Sequence, residues 1–199
     1  MEKKQAMKTL PPVMVSFSVT RECNLRCKHC YSESVDSPHP EELSTEEAKR
    51  VISQIADAGA RLIVFDGGEP LMRSDIYELI SHAKSVGLRP LMGTNATLIT
   101  TEVAQKLVRA GIRALAISLD GADSAWHDEF RGVEGSWNDA LQGIQNARQA
   151  DIPFQIAPTL RHGHWEEWAR VADRAKDLGA IAVEVFDYIL AGRGAENPE

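Results

Sequence analysis

The sequence lacks the long apolar runs that membrane-spanning chains carry. Nowhere among its 199 residues is there anything close to the roughly 18 consecutive apolar residues that a transmembrane helix needs. The opening residues, Met-Glu-Lys-Lys-Gln-Ala-Met-Lys, are not followed by the apolar core of a secretory signal. We therefore predict no membrane contact and a cytoplasmic location.

Basic charge is also scarce. The 22 Lys and Arg residues are outnumbered by 29 Asp and Glu residues, which gives a formal net charge of −7. A protein that binds nucleic acid through its phosphates needs the opposite balance, so we predict no nucleic-acid partner. With 43% hydrophobic and 26% charged residues, the composition is that of a globular domain and excludes a disordered chain.

Cysteine is rare but clustered. Cys23, Cys27 and Cys30 form a C-x-x-x-C-x-x-C pattern within eight residues, an odd and crowded set that cannot cross-link a secreted fold. Three thiolates this close can surround one metal centre, and sulfur ligands select zinc, copper(I) or an iron–sulfur cluster. A structural zinc ion would need a fourth ligand, for which His29 or His39 is available. A four-iron cluster would instead keep one iron without a protein thiolate, open to chemistry.

Short apolar segments alternate with amphipathic helical stretches along the whole chain, a βαβα pattern. The strand starts recur about every 34 residues, close to the ~31 residues per unit of an eight-stranded β/α barrel. We therefore predict an α/β fold, a partial (β/α)6 barrel of parallel strands with outer helices. A doubly wound open sheet is the alternative, since spacing does not separate the two. The predicted strands are Val13–Val19, Arg61–Phe65, Arg89–Gly93, Arg113–Ser118, Pro153–Thr159 and Ile181–Phe186.

Capping residues and glycines mark the predicted helix ends. Ser44 with Glu47 forms a capping box, and Ser74, Thr101 and Ser136 stand where further N-caps are expected. On this pattern, residues 1–12 are an N-terminal extension, residues 13–190 form the barrel domain and residues 191–199 are a polar tail.

Polar motifs follow the ends of three predicted strands. Gly67-Gly68-Glu69-Pro70 follows the second strand, Thr94-Asn95 the third and Ser118-Leu119-Asp120-Gly121 the fourth. Loops that follow parallel strands meet on one face of the sheet, where both candidate folds place their sites. Each motif taken alone is also consistent with an ordinary turn. Their shared position predicts one site beyond the carboxyl ends of the strands.

Together, the cysteine pattern after the first strand and Gly67-Gly68-Glu69-Pro70 after the second resemble the radical S-adenosylmethionine (SAM) superfamily. The resemblance implies that Cys23, Cys27 and Cys30 hold a 4Fe-4S cluster, whose open iron is chelated by the amino and carboxylate groups of SAM. It also implies reductive cleavage of SAM to methionine and a 5′-deoxyadenosyl radical that abstracts a hydrogen from a substrate. The cofactor supplies the reactivity, and the protein must orient it and exclude water.

The same resemblance implies roles for other residues. The turn with Gly67, Gly68 and Glu69 would receive the SAM amino group, and His29 stands where the family usually has an aromatic residue near the adenine. Arg131 would pair with the SAM carboxylate through two parallel hydrogen bonds. Two alternatives stay open: Asn95 or Asp120 could be turn-forming caps, and Arg131 could be a surface charge. Further candidates are Thr94, Asn95, Ser118 and Asp120 for SAM, and His162, His164 and Arg193 for substrate.

Within the superfamily, the chain most resembles enzymes of the SPASM or twitch type, which include peptide maturases and enzymes of haem and haem d1 biosynthesis. Here no cysteine follows Cys30. The resemblance implies a substrate that is a tetrapyrrole side chain or a peptide, and a ferredoxin or flavodoxin as reductant. An exposed edge at the sixth strand would invite a partner or a second copy. The alternative function is a non-catalytic iron–sulfur or SAM-binding module, or a subunit of a larger assembly.

Overall fold

The computed structural model describes residues 10–198, so most of the expected extension, residues 1–12, lies outside the described residues. Five parallel strands form one sheet in sequential order, each strand paired with the next one along the chain. A doubly wound sheet reverses its strand order near the middle, and this sheet does not. The α/β prediction is therefore confirmed. The strands are β1 (Met14–Thr20), β2 (Leu62–Gly67), β3 (Arg89–Thr94), β4 (Ala114–Ile117) and β5 (Phe154–Ile156).

The last two predicted strands are shorter and less regular than the sequence suggests. The predicted segment Pro153–Thr159 divides into β5 and a short β6 (Thr159–Leu160), with Pro158 between them. Proline has no backbone N–H to donate, which interrupts a ladder of hydrogen bonds. The predicted segment Ile181–Phe186 is regular only at its end, where β7 (Phe186–Asp187) pairs with β6 in parallel.

The sixth segment nevertheless follows the sheet. The N–H of Ile156 donates to Ala182 O at 3.1 Å, and the N–H of Glu184 donates back to Ile156 O at 2.9 Å. The N–H of Phe186 then donates to Pro158 O at 2.9 Å. The sixth unit of the barrel is thus present in position, but it contributes little regular strand.

The helices cover one side of the sheet. α1 packs on α2, α2 on α3, and α3 on α5. Between sheet and helices lies the main core, where Ile63, Phe65, Met92 and Ile117 are fully buried. Each such side chain contributes about 1.5–3 kcal/mol by leaving water. The helices are α1 (Thr45–Asp57), α2 (Ile76–Ser85), α3 (Thr101–Ala110), α4 (Ser124–Arg131), α5 (Ser136–Gln149), α6 (Trp165–Leu178) and α7 (Arg193–Glu196).

The predicted capping box at α1 is confirmed: Ser44 accepts from the N–H of Glu47, whose side chain accepts from the N–H of Ser44. The other three predicted caps are each one residue away from the structural ones, which are Asp75, Thr100 and Gly135.

The sequence pattern indicates no helix around Arg131, yet residues 124–131 form α4. Asp123 caps its start by accepting from the N–H of Trp126. Gly132 ends the helix with a φ of +71°. A left-handed residue after the last turn is a common helix stop, and it leaves Arg131 at the end of the helix.

Among residues 10–198, no helix is both long and apolar enough to cross a membrane.

Candidate active site

The face of the sheet opposite the helices lines a cavity of about 620 Å³. Successive side chains of a strand point to opposite faces, so Ile63 and Phe65 enter the core while Val64 and Asp66 face the cavity. Most of the other inward-facing residues are small or polar, namely Ser16, Gly93, Ala114, Ala116, Ser118 and Gln155, and the apolar Met14 and Leu91 also line the cavity. This volume is in the range of cofactor and substrate pockets.

The cysteine loop closes one end of this cavity, and Cys23, Cys27 and Cys30 all line it. The loop is tied to its surroundings through the backbone. The N–H of Cys23 donates to Val35 O at 2.8 Å, and the N–H of Arg26 donates to Arg131 O at 3.1 Å. The end of α4 therefore anchors the middle of the cysteine loop.

The three thiols have different surroundings. The N–H of Leu25 lies 3.4 Å from Cys23 Sγ, and Arg131 Nη1 lies 3.6 Å from Cys27 Sγ. Burial raises the pKa of the Cys23 and Cys27 thiols. Burial acts in the same direction on Cys30, but hydrogen bonds with two serine hydroxyls outweigh it and lower the pKa of that thiol. Those hydroxyls belong to Ser32 and Ser34, each 3.4 Å from Cys30 Sγ.

The donor set fits an iron–sulfur cluster better than a single zinc ion. The three cysteines are free thiols around one shared space. Within residues 10–198, no group of three or more His, Cys, Asp and Glu side chains could hold a single metal ion. The two histidines considered for zinc are engaged differently: His39 Nδ1 accepts from the N–H of Glu41, and His29 stacks on Phe130.

The turn after β2 is joined to the cysteine loop. The N–H of Gly68 donates to Thr20 O, and the N–H of Glu69 donates to Glu22 O, both at 2.8 Å. A Cβ on Gly68 would lie 2.2 Å from Glu22 O, so no larger residue fits here without moving the backbone. Gly67 and Gly68 line the cavity. The paired glycines thus bring the turn directly against the loop that carries Cys23.

The Glu69 side chain is fully buried and binds the start of the loop after β3. It accepts hydrogen bonds from Thr94 Oγ1 at 2.9 Å, from the N–H of Asn95 at 2.8 Å and from the N–H of Leu71 at 3.2 Å. Burial outweighs these donors and raises the pKa of Glu69 to about 7. The carboxyl group therefore connects two loops of the site, while the glycines before it face the cavity.

Asn95 links the loop after β3 to the cysteine loop. Its Nδ2 donates to Asn24 Oδ1 at 2.9 Å, and its Oδ1 accepts from the N–H of Thr97 at 3.0 Å. Asn95, Thr94 and Ser118 all line the cavity. Three of the polar residues that the sequence placed after strand ends are therefore brought to the same cavity as the cysteines.

Arg131 and Asp120 form a buried ion pair. Arg131 Nε lies 2.5 Å from Asp120 Oδ2, and the two side chains are 8% and 0% exposed. Burial alone would raise the pKa of Asp120, but the charge of Arg131 outweighs it and lowers that pKa. Asp120 Oδ1 also accepts from the N–H of Thr159 at 2.8 Å. Arg131 lines the cavity, whereas Asp120 lies behind it, so the arginine is not a free surface charge.

His29 lies flat against α4. Its ring is stacked on Phe130 with centroids 4.0 Å apart and planes 16° apart, and Tyr188 lies 6.4 Å away. Burial, followed by the charge of Arg131, lowers the pKa of His29 to about 4, so the ring is neutral at pH 7. His29 Nδ1 is buried without a hydrogen-bond partner, and His29 lines the cavity. Such an unsatisfied nitrogen fits a ligand bound beside it.

The three residues suggested for substrate contact lie elsewhere. His162 is exposed, and the ring of His164 meets the edge of Trp126 at 4.9 Å. The Arg193 guanidinium donates to backbone carbonyls of the cysteine loop. Among the described residues, the cavity lining includes none of these three.

Several residues of the site were not predicted from the sequence. Asn24 holds Asn95, Ser32 and Ser34 contact a cysteine sulfur, and Asp66 faces the cavity. The two serines carried a usable signal, because hydroxyl groups two and four residues after a cysteine can reach its sulfur. Asn24 carried no such signal, since its partner is 71 residues away.

Fold and site together define an α/β barrel protein with a three-thiol centre at the carboxyl end of its sheet. The family model described as the radical SAM superfamily matches residues 17–175. The chain therefore belongs to the radical SAM superfamily, whose members use a 4Fe-4S cluster and SAM.

Curated relatives carry names from both groups that the resemblance indicated. The chain is 41% identical over 191 residues to an AdoMet-dependent heme synthase of Methanosarcina barkeri, covering 96% of this chain and 55% of that protein. It is 30% identical to a pre-heme d1 synthase of Dinoroseobacter shibae, with 94% and 46% covered. It is 29% identical to a PqqA peptide cyclase of Bradyrhizobium diazoefficiens, with 94% and 49% covered. The chain spans about half the length of these relatives.

Solved structures confirm the fold. SuiB of Streptococcus suis, in its complex with S-adenosylmethionine, superposes with a TM-score of 0.78 at 19% identity, covering 89% of this chain and 41% of that one. The structure of native anSMEcpe with bound AdoMet gives a TM-score of 0.73 at 17% identity, with 88% of this chain and 51% of that one covered. The partial barrel expected from the sequence is thus the fold of this chain.

Proposed function

We propose that this chain is the radical-generating domain of a radical SAM enzyme, formed by residues 13–190 together with the segment that follows them. The observation that carries the proposal is that one cavity is lined by all three cysteines, Gly67-Gly68 and Arg131. A cluster carrier that does not bind SAM would not need the Gly67-Gly68 turn or Arg131 in this cavity. The same observation therefore weighs against a non-catalytic cluster module.

Cys23, Cys27 and Cys30 would hold a 4Fe-4S cluster, which, when bound and reduced, supplies the electron that cleaves SAM to a hydrogen-abstracting 5′-deoxyadenosyl radical. The chain's own task is to orient SAM and keep water away. Gly67 and Gly68 allow close approach of the backbone, and Arg131 offers a cation to a carboxylate. Further polar contacts would come from Thr94, Asn95 and Ser118, with His29 beside the adenine.

Asp120 and Glu69 have supporting parts in this proposal. Asp120 neutralises Arg131 from behind and fixes the direction of its guanidinium. Glu69 holds the loop that carries Asn95. Both residues would therefore support SAM binding without contacting SAM.

The substrate that we propose is a tetrapyrrole side chain. The support is the level of similarity: 40–42% identity to three heme synthases, against 29–30% to the peptide cyclases. A peptide substrate is the second candidate, because SuiB, which shares this fold, is seen bound to its precursor peptide. His162 and His164, on the exposed loop before α6, remain candidates for contacts at the rim.

We further propose a ferredoxin or flavodoxin as reductant, in the cytoplasm, where thiols stay reduced. A partner or a second copy would cover the open edge of the barrel. The sixth segment, at that edge, exposes the apolar side chains of Ile181, Phe186, Ile189 and Leu190, of which the first three also line the cavity. Exposed apolar patches of this kind mark association surfaces. Sedimentation of wild type and Leu190→Ser, a residue that does not line the cavity, should show association that the variant weakens. Identical sedimentation as monomers would exclude a second copy there.

The decisive experiment is anaerobic reconstitution with iron and sulfide, then reduction with dithionite with and without SAM. Electron paramagnetic resonance reports the cluster, and 5′-deoxyadenosine reports cleavage of SAM. We expect SAM to change the cluster signal and deoxyadenosine to appear. A cluster that forms but does not respond to SAM would support the binding-module alternative.

The substrate is tested by adding either a propionate-bearing porphyrin or an unrelated peptide to the reduced, SAM-loaded protein. We expect the porphyrin to raise deoxyadenosine formation above the substrate-free rate and to change in mass. A response to the peptide alone would favour the second candidate.

A further inference from the structure

Residues 188–197, here named the C-terminal strap, lie across the cysteine loop although the sequence suggests only a polar tail. Arg193 makes most of the contacts. Its Nε donates to Cys27 O at 2.9 Å, its Nη1 to Ser34 O at 2.7 Å and its Nη2 to Ser34 Oγ at 3.2 Å. Its backbone N–H donates to Cys30 O at 3.0 Å. One residue thus satisfies four acceptors between the second cysteine and Ser34.

The residue before it has to be glycine. Gly192 has a φ of +53°, which side chains rarely adopt. A Cβ there would lie 2.5 Å from Cys30 O and 2.8 Å from Tyr31 O, both of them backbone atoms. The strap therefore approaches the loop backbone to backbone, and this close approach brings Arg193 within reach of its acceptors.

The contacts continue to the sulfur of Cys30. Ser34 is 4% exposed, and its Oγ lies 3.4 Å from Cys30 Sγ. Arg193, Ser34 and Cys30 thus form a continuous chain of polar contacts. The strap also packs beside His29, because Tyr188 lies against both His29 and Phe130.

We infer that Arg193 is a positioning residue that holds the segment from Cys27 to Ser34 in its cluster-binding shape before any cluster is present. The role at a cluster rests on the proposed function, whereas the hydrogen bonds of Arg193 do not depend on it. A guanidinium suits the task because its planar fork can donate in several fixed directions at once, which an ammonium group cannot do. This role replaces the substrate contact expected from the sequence.

The test is hydrogen exchange of the anaerobic, cluster-free chain, followed by mass spectrometry of a peptide spanning residues 23–35. The variants are Arg193→Gln, Arg193→Lys and, as a matched control, Arg174→Gln on the exposed face of α6. Opening of a hydrogen-bonded segment sets the exchange rate of its amides. A peptide covering α3 serves as the internal reference for global stability.

We expect exchange in residues 23–35 to be about tenfold faster in Arg193→Gln, equivalent to ~1.4 kcal/mol and close to one net hydrogen bond. The exchange rate in Arg193→Lys should lie between those of wild type and Arg193→Gln, and the rate in Arg174→Gln should match wild type. Unchanged exchange in Arg193→Gln would overturn the inference. Equal acceleration in the α3 peptide would also overturn it, because the effect would then be global.

A second measurement uses the reconstituted protein. We expect a strong iron chelator to remove iron about tenfold faster from Arg193→Gln than from wild type, with the Arg174→Gln control unchanged. Equal release rates would contradict a role for Arg193 at the cluster. If wild type itself bound no iron, the proposed function would fail, yet the exchange experiment would still decide what the strap does.

Discussion

The guanidinium of Arg131 lies between a carboxylate and a thiol: its Nε is 2.5 Å from Asp120 Oδ2 and its Nη1 is 3.6 Å from Cys27 Sγ. Both charged side chains are buried. A buried ion pair is expensive to break from one side, because the remaining charge has no partner. The pair therefore links the geometry of the proposed SAM site to the stability of the domain.

Asp120→Ala should destabilise the chain by about 3–5 kcal/mol, because it leaves the Arg131 charge buried and unpaired. The double variant Asp120→Ala with Arg131→Met should lose clearly less than the sum of the single variants. Urea unfolding of the four proteins in a double-mutant cycle measures this coupling. Additive losses would show that the pair carries no interaction energy.

Cys27→Ala should abolish cluster binding while the fold survives, because the change removes one sulfur ligand and little core volume. Iron and sulfide content after reconstitution measures the first effect, and far-ultraviolet circular dichroism the second. Ser32→Ala is the control, since it alters a neighbour of Cys30 and no ligand. A full iron complement in Cys27→Ala would exclude that cysteine as a ligand.

His29 makes the domain sensitive to acid. Its pKa is about 4 in the fold against an ordinary value of 6.5, so between these values the unfolded chain binds more protons. Its stabilising contribution is present above pH 6.5 and is lost as the pH falls towards 4.

His29→Phe should keep the stacking on Phe130 and remove the titrating group. The free energy of unfolding of the variant, relative to that of wild type, should be about 2 kcal/mol higher at pH 5 than at pH 7, as measured by urea unfolding. His162→Phe, at an exposed histidine, should show no such gain. The same pH dependence in His29→Phe and wild type would mean that folding does not lower the pKa of His29.

Gly68→Ala should disrupt the site itself. The new Cβ would lie 2.2 Å from Glu22 O, so either the turn after β2 or the cysteine loop must move. We expect cluster incorporation and SAM affinity to fall at least tenfold. Gly87→Ala is the control for general backbone strain, because Gly87 has a φ of +91° but no atom within 4 Å of the added carbon. Similar losses in both variants would indicate general destabilisation.

The sequence predicted well what depends on local pattern. The alternation of apolar segments with helical stretches indicated the parallel α/β fold, and five of the six predicted strands overlap a strand of the main sheet. The capping box at Ser44 depends on two residues three positions apart, so it was visible directly. Predictions failed where local signals were weak, as at α4 and in the sixth strand segment.

The chain's membership of its family was also readable from the sequence, since the three cysteines at fixed spacing and the glycine-rich turn are each short motifs within a few residues. Which polar groups face the cavity and which support them was decided only by tertiary structure. Asp120 and Arg131 are 11 residues apart and became partners through burial. Arg193 reaches Cys27 O across 166 residues. Contacts that distant depend on how the sheet closes and leave no periodic signal in the sequence.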